Sequence, residues 1–371
     1  MRNSITALRQ GDKKSRVAAI HVLGRLETPP ATSALVEALD SRDPDIRALA
    51  MGKLAFGKRG AIVPVLRKGL RDKEPRVRGH ALFALQRQGG ASEADAIARL
   101  MVADRDEIVR FNAALALAAV GKARHAPAFV RAVGDSNPNV MLTALSALVR
   151  LAPSRVSGLV VGLVRNAKRW GRIAQTQKDV ILRLLKPSLE QKEVLTLLRR
   201  IVAGGLRAAR RQGNSSYGMD VMEAACLLAE AGDPLGLPVL RVALKKGGEY
   251  GQQRGARAVG RLRETSAVPL LIEGPLGNGF FPTKLKAVAA MGEVGSTAAL
   301  PTLASFFNDR IDDFSSDRTA PFTKDDPDLR LAALAAMAKI ASATLREAAR
   351  SGDAFEQKTA RRLLAELKRS E

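Results

Sequence analysis

The sequence has little cysteine and few aromatic residues: Cys226 is its one cysteine, Trp170 its one tryptophan, and 4% of its 371 residues are aromatic. One thiol forms no internal disulfide and no multi-cysteine metal site, which excludes the disulfide-rich and zinc-finger classes. The run of about 18 apolar residues that a membrane helix needs is missing. The N-terminal segment also lacks the apolar core of a signal peptide. We therefore expect a cytoplasmic protein with no transmembrane segment.

Catalytic signatures are missing as well. The three histidines, His21, His80 and His125, share no repeat position and form no HExxH motif. Neither a P-loop nor a GxGxxG motif occurs. Cys226 lies in an apolar helix with no basic neighbour in sequence, which is typical of a buried structural thiol. These absences predict a protein that is not an enzyme, with no catalytic, cofactor-binding or metal-binding residues and no cofactor.

What the sequence does contain is an internal repeat of 31 or 32 residues. Its anchors are small residues in apolar helices: Ala19, Ala50, Ala81, Ala113 and Ala144, then Ala224, Gly255, Ala287 and Ala333. An apolar residue follows each anchor by four positions, and the first five anchors also by sixteen and twenty. An offset of four marks one buried helix face, and the jump of twelve leaves room for a turn and a second helix. Each repeat is therefore predicted to be a helical hairpin.

The joints between repeats support this interpretation. Pro44, Pro75 and Pro138 each stand six residues before an anchor, where a first-turn proline loses no helical hydrogen bond. Strand signals are absent, so we predict an all-α fold. The hairpins resemble HEAT repeats, and most closely the short bacterial HEAT-like repeats also found in phycobilisome lyases. The resemblance implies a right-handed α-solenoid of about ten stacked hairpins, whose second helices line a concave surface that holds a partner.

An arginine typical of these repeats stands three residues before the anchor. It occupies Arg16, Arg47, Arg78, Arg110 and Arg330, whereas Met141 and Val221 depart from the pattern. The resemblance implies that this arginine pairs with aspartates between the helices and forms a structural ladder along the stack. The candidate partners are Asp40, Asp72, Asp104 and Asp135.

The repeat is least regular between Ala144 and Ala224, where one degenerate hairpin with extra length fits. We predict N-terminal repeats 1 to 5 at residues 1–168, a degenerate basic repeat at 169–215, and C-terminal repeats at 216–371. The last region carries an inserted loop at 308–326. Phe314 and Phe322 are candidate contacts between this loop and a partner.

Positive charge concentrates in the degenerate region. The chain has a net charge of +23, and residues 155–215 hold 14 basic residues against 3 acidic ones. A helix over SLEQKEVLTLLRRIVAGGLRAARRQ would place six cations on one face, unless Gly204 and Gly205 break it. The candidate residues for an anionic partner are Arg165, Lys168, Arg169, Arg172, Lys178, Arg183, Lys192, Arg199, Arg200, Arg207, Arg210 and Arg211.

Several uses of this basic face remain open. It can be a solvated surface, a contact for nucleic-acid phosphate, or a contact for an acidic protein or anionic surface. Our leading hypothesis is a non-catalytic scaffold or adaptor that binds a partner protein on its concave surface. The alternative is a nucleic-acid-binding solenoid that uses residues 155–215 on backbone phosphate, and a third is an accessory subunit of a modifying enzyme. Steep salt dependence would favour phosphate contacts over a hydrophobic concave site.

Overall fold

The computed structural model describes residues 1–26, 28–56, 62–212, 217–277, 279–305 and 327–351, with 357, 358, 360 and 361. Within these residues all regular structure is helical, and no strand occurs. No helix in these ranges combines the length and the apolar character needed to cross a membrane. The chain divides into two compact units, Met1–Leu163 and Val164–Glu371. Each unit is a stack of helical hairpins, which confirms the predicted all-α solenoid.

The first unit consists of a leading helix and five hairpins. In chain order its helices are α1 (Arg2–Gln10), α2 (Lys13–Leu26), α3 (Pro29–Glu37), α4 (Pro44–Leu54), α5 (Val63–Gly69), α6 (Pro75–Gln88), α7 (Ala94–Ala103), α8 (Glu107–Val120), α9 (Ala126–Ala132), α10 (Pro138–Leu151) and α11 (Val156–Arg165), whose last turn crosses the boundary. The even-numbered helices are the first helices of the hairpins, and the odd-numbered helices from α3 onward are the second. As predicted, Pro44, Pro75 and Pro138 each begin a first helix.

The second unit begins with a short extra helix and continues with further hairpins. Its helices are α12 (Ala167–Arg172), α13 (Gln175–Arg183), α14 (Lys192–Gln212), α15 (Met219–Glu230), α16 (Leu237–Lys246), α17 (Glu249–Leu262), α18 (Val268–Leu271), α19 (Phe281–Val294), α20 (Leu300–Ala304) and α21 (Pro327–Ser351). α13 and α14 form the degenerate hairpin. Its extra length lies in the inserted α12 and in α14, which has 21 residues where α11 has 10.

Neighbouring hairpins share one core in each unit. α3 packs against both α2 and α4, and α16 packs against both α15 and α17. The predicted anchors face this core, since Ala50, Ala81, Ala113 and Ala144 are all 0% exposed. The leucines four residues later are buried with them. Because each hairpin completes the core of the next, no single hairpin buries its own apolar face.

An arginine ladder joins consecutive hairpins of the first unit. Arg78 donates through Nε and Nη2 to the Asp104 carboxylate, at 2.8 and 2.7 Å, and through Nη1 to the carbonyl of Asp72 at 2.9 Å. Asp104 in turn accepts the backbone N–H of Asp106, at the start of the next first helix. Each ladder arginine therefore ties its own joint to the joint of the following hairpin.

The same arrangement recurs at Arg47 with Asp72 and at Arg110 with Asp135. The Arg47 guanidinium holds the pKa of Asp72 below its usual range. A lowered folded pKa means that this pair stabilises the fold above the unfolded pKa and loses its contribution as pH falls through the folded one.

The first rung differs from the prediction. Asp40 does not bind Arg16 but forms an ion pair with Lys68. Arg16 instead donates to the hydroxyl of Ser41 at 3.0 Å. Ser41 occupies the ladder position because its hydroxyl accepts the N–H of Asp43, as Asp104 accepts that of Asp106. The repeat register of the partner, rather than its charge, decides which residue completes the rung.

The ladder can be tested with two arginines on the same helix. Replacing Arg78 with glutamine should lower the free energy of unfolding by about 3 kcal/mol, because it leaves the buried Asp104 carboxylate without its guanidinium. Urea unfolding followed by circular dichroism measures this change.

Arg76→Gln is the matched control. Its side chain is 72% exposed and pairs with an exposed Asp45, so stability should change by less than about 0.5 kcal/mol. Equal losses in the two variants would contradict a structural role for the ladder.

Candidate functional site

The longest described helix within residues 155–215, α14, carries the most cations. Its apolar residues Val194, Leu198, Val202 and Ala209 recur on one side and are buried, and the helix packs against α15. Burial of this side leaves the opposite side in contact with solvent. α14 therefore has the amphipathic character that the sequence predicted.

The glycine pair does not break α14. Gly205 lies so close to α15 that a Cβ atom built there would be 2.6 Å from the Val221 side chain. Gly204 faces open space, with nothing within 4 Å of a Cβ atom. Position 204 therefore has room for a larger residue, whereas position 205 requires glycine because α15 packs closely there. Because the helix is continuous, the cations before and after the glycines keep the phase relation expected from 100° per residue.

Five cations define what we call the cationic face of α14: Lys192, Arg200, Arg207, Arg210 and Arg211. All five are exposed, and within the described ranges none of them forms an ion pair with a carboxylate. By the rise of an α-helix they extend over about 28 Å. Arg199 borders the face but is already engaged, since its Nε lies 2.6 Å from the Asp233 carboxylate.

The remaining predicted cations divide into an exposed group and a group that is held by contacts within the chain. Arg165 at the end of α11, and Lys168 and Arg172 on α12, are exposed, whereas Arg169 is half-buried. Lys178 is buried, 7% exposed, and its Nζ lies 5.5 Å from the centre of the Trp170 ring. A buried ammonium over an indole ring is held by that ring and is not available at the surface.

Arg183 is engaged within the chain as well, although its side chain is 45% exposed. Its Nη2 donates to Asp179 at 3.0 Å and to the Tyr250 hydroxyl at 2.9 Å. The sequence predicted a contact for a partner here, but the structure places Arg183 in a charge cluster of the second unit. Trp170 has a structural partner as well, because its Nε1 lies 3.4 Å from Asp220.

Sequence reasoning missed the carboxylate and the arginine at the centre of this cluster. Glu223 is 1% exposed on α15, and its carboxylate contacts Arg254 on α17. Both residues stand one position before an anchor, Ala224 and Gly255, in consecutive repeats. Because the repeat stacks equivalent positions next to each other, this shared register was a signal that could have predicted the pair.

The predicted contacts on the inserted loop cannot be placed. Phe314 and Phe322, with the rest of the insertion at 308–326, lie outside the described residues.

The three histidines have separate positions, and only His125 is buried. Its Nδ1 accepts the N–H of Lys122 at 2.9 Å, and its Nε2 lies 3.0 Å from Asp95. This histidine holds the turn before α9.

Comparison with known proteins finds HEAT repeats in part of the chain. The HEAT-repeat model matches residues 32–118 and 97–177, so the resemblance inferred from the sequence is confirmed over that span. No curated protein matches the chain.

Solved structures share the fold at low identity. Kap95p, in a structure describing its binding to RanGDP, is 14% identical with a TM-score of 0.62, over 92% of this chain and 52% of Kap95p. Importin beta is 13% identical with a TM-score of 0.55, over 95% of this chain and 54% of importin beta. This chain thus spans about half the length of both. Identities this low show the fold alone.

A phycocyanin lyase is a more distant structural match. The CpcE and CpcF complex from Nostoc sp. PCC7120 is 15% identical with a TM-score of 0.36, over 78% of this chain and 86% of the matched chain. At this TM-score the likeness carries no conclusion about function.

The two glycines of α14 give opposite expectations for the same substitution. Gly204→Ala should raise the free energy of unfolding by about 0.5–1 kcal/mol, because alanine restricts the unfolded chain and meets no neighbour. Gly205→Ala should lower it by roughly 1–3 kcal/mol, because the new methyl group collides with Val221. Urea unfolding of both variants measures the difference, and equal stabilisation would contradict the close packing of α14 on α15.

Cys226 is predicted to be unreactive in the native protein. The thiol is 5% exposed, and burial raises its pKa to about 11, so very little thiolate is present at pH 8. Ellman's reagent should react slowly with the folded chain and rapidly with the same chain in denaturing urea. A native rate equal to the denatured rate would contradict this burial.

Proposed function

We propose that this all-α solenoid, with HEAT repeats over residues 32–177, is a non-catalytic scaffold that binds an acidic surface of a partner protein. The proposed contact is the cationic face of α14, the second helix of the degenerate hairpin in the second unit. The observation that supports the proposal is the set of five exposed cations without carboxylate partners in the described part of the chain. A surface of this kind attracts an acidic partner and orients it before contact.

The second helices of the first unit have a related character. Lys68, Arg99 and Arg131 occupy the same repeat position on α5, α7 and α9, and all three are exposed. Among the described residues, the large exposed hydrophobic side chains of this unit's hairpins lie on or next to first helices, with none on a second helix. A hydrophobic binding site on the second helices, which the sequence had left open, does not match this distribution. We therefore expect partner binding to depend on salt.

The solved structures support the choice of a protein partner only through the fold. Kap95p binds RanGDP, and we extend to this chain the general use of stacked hairpins to hold another protein. A preformed stack loses little conformational freedom when it binds, which favours affinity without any reactive group. Which protein this chain holds is left to experiment.

Nucleic acid is the other polyanion that a cationic helix can bind. The aromatic residues that stack single-stranded bases are few, and Trp170 is occupied by Lys178. The neighbours of similar fold named above add no nucleic-acid contact. We therefore make nucleic acid an outcome of the test rather than a second proposal.

The experiment compares two triple variants with equal charge changes. Arg200, Arg207 and Arg210 are replaced by glutamine in the test variant. Lys245, Arg257 and Arg261, which are exposed elsewhere in the second unit, are replaced in the control. Immobilised proteins are exposed to extract of the source cells, with and without nuclease treatment. The retained protein is then purified and titrated by fluorescence anisotropy at about 50 and about 200 mM salt.

We expect wild type and control to bind one acidic protein equally, and the test variant to bind it at least about tenfold more weakly. Equal binding by both triple variants would remove α14 from the proposal. Retained material that disappears after nuclease treatment, with labelled duplex DNA or RNA binding in its place, would replace the protein partner by nucleic acid.

A further inference from the structure

A cavity of about 470 Å³ lies within the second unit, bounded by α13, α15, α16 and α17. Its walls are mainly apolar and include Met219, Met222, Val239, Val242 and Ala243. This volume falls within the range of small-molecule sites, about 300–1,000 Å³. The cavity is separate from the exposed cationic face of α14.

Charged and polar groups form the other side of this cavity. Glu223 is 1% exposed and Asp179 is 5% exposed, so both carboxylates are more than nine-tenths buried. Tyr250 connects them to two arginines: its hydroxyl accepts from Arg183 at 2.9 Å and from Arg254 at 3.3 Å, and donates to Asp179 at 3.2 Å. Polar groups that converge on an apolar cavity are typical of a binding site.

Two buried acceptors in this cluster receive neither a hydrogen bond nor a direct ion-pair contact from the described residues. They are Oδ1 of Asp179 and Oε1 of Glu223. The other Glu223 oxygen, Oε2, is in direct contact with the Arg254 guanidinium, whereas Arg183 Nε lies 3.7 Å from Oε1, beyond hydrogen-bond distance. Burial raises the pKa of Glu223, because desolvation outweighs the attraction of both arginines. The two guanidinium groups thus compensate the charge without saturating the acceptors.

The numbers of unsatisfied donors and acceptors select the chemistry of an occupant. One buried donor, Nε of Arg254, stands against the two acceptors, Oδ1 of Asp179 and Oε1 of Glu223. A carboxylate or phosphate would add acceptors and meet two buried anions at short range. A neutral amide brings an acceptor together with its donors. An ammonium or a guanidinium brings several donors and no acceptor.

We infer that the cavity bounded by Glu223, Asp179 and the apolar wall binds an alkylammonium or alkylguanidinium group. The cationic head donates to Glu223 and to Oδ1 of Asp179, while its methylene stem packs against Met222 and Val242. Arg183 and Arg254 repel the positive charge of such a ligand. Their side chains are 45% and 23% exposed, so water weakens this repulsion more than it weakens the attraction of the buried carboxylates. Lys246 lies at the exposed rim, where its charge is screened as well.

Two sources share this chemistry: a free alkyl amine, and a lysine or arginine side chain of a peptide. Isothermal titration calorimetry of the full chain therefore uses n-butylguanidinium and n-butylammonium for the first source and an Ala-Arg-Ala peptide for the second. N-butylurea and Ala-Gln-Ala are the neutral controls. Saturable binding of either cationic probe, at least about tenfold tighter than its neutral control, supports the inference, and the tighter probe identifies the source. Absence of saturable binding by every cationic probe, or equal binding of a cation and its control, overturns it.

Substitutions test whether the cation binds in this cavity. Glu223→Gln keeps the shape of the side chain and removes its charge, so affinity for the cation should fall at least about tenfold. Glu230→Gln, on the same helix but paired with Lys186 outside the cavity, should bind like wild type. Val242→Phe fills the cavity from its apolar wall and should also abolish binding without altering any charge.

Circular dichroism melts establish that each variant is folded before titration. If Glu223→Gln and Val242→Phe both fold and both bind the cation with wild-type affinity, the site is not this cavity. Failure here leaves the scaffold proposal untouched, because these variants keep the cationic face of α14. Conversely, Arg200, Arg207 and Arg210 lie outside the cavity, so the triple variant on α14 should retain cation binding.

Discussion

The structure depends on the stacking of equivalent helices through small residues at one repeat position. Ala81, Ala113 and Ala144 are fully buried because each first helix presses against the next, and Gly255 occupies the same position in the second unit. A larger side chain at the anchor would separate neighbouring hairpins and open the shared core. Since no hairpin buries its own apolar face, stability belongs to neighbours together rather than to single repeats.

Stacking of equivalent positions also decides which polar residues meet. In the first unit the residue three before the anchor is the ladder arginine in every hairpin except that of Met141, and its partner follows in the next joint, 25 or 26 residues later. In the second unit arginine returns at Arg330, but Val221 and Gln252 occupy that position on α15 and α17. There the charges stand one residue before the anchor, at Glu223 and Arg254, where they meet each other and line a cavity. The same stacking rule thus produces a structural ladder in one unit and a buried charge cluster in the other.

Much of this fold could be predicted from the sequence, because the features that determine it are periodic. Anchors, buried leucines and first-turn prolines repeat, and each repetition reinforces the prediction. The site was less predictable, because its details depend on single contacts. The requirement for glycine at position 205 depends on one close approach to Val221, and charge counting could not show that Lys178 lies over the Trp170 ring. The resemblance to HEAT repeats likewise made Asp40 a candidate for the ladder, whereas the register favours Ser41.

The degenerate hairpin explains why two kinds of electrostatic environment occur in one unit. Its first helix, α13, contributes the buried Asp179 and the Arg183 that pairs with it, and its second helix, α14, carries the exposed cations. Both helices pack against α15. α15 also supplies the buried Glu223. Buried carboxylates with unsatisfied acceptors call for donors, and exposed arginines without carboxylate partners among the described residues call for anions. The two proposals therefore assign ligands of opposite charge to separate parts of the second unit.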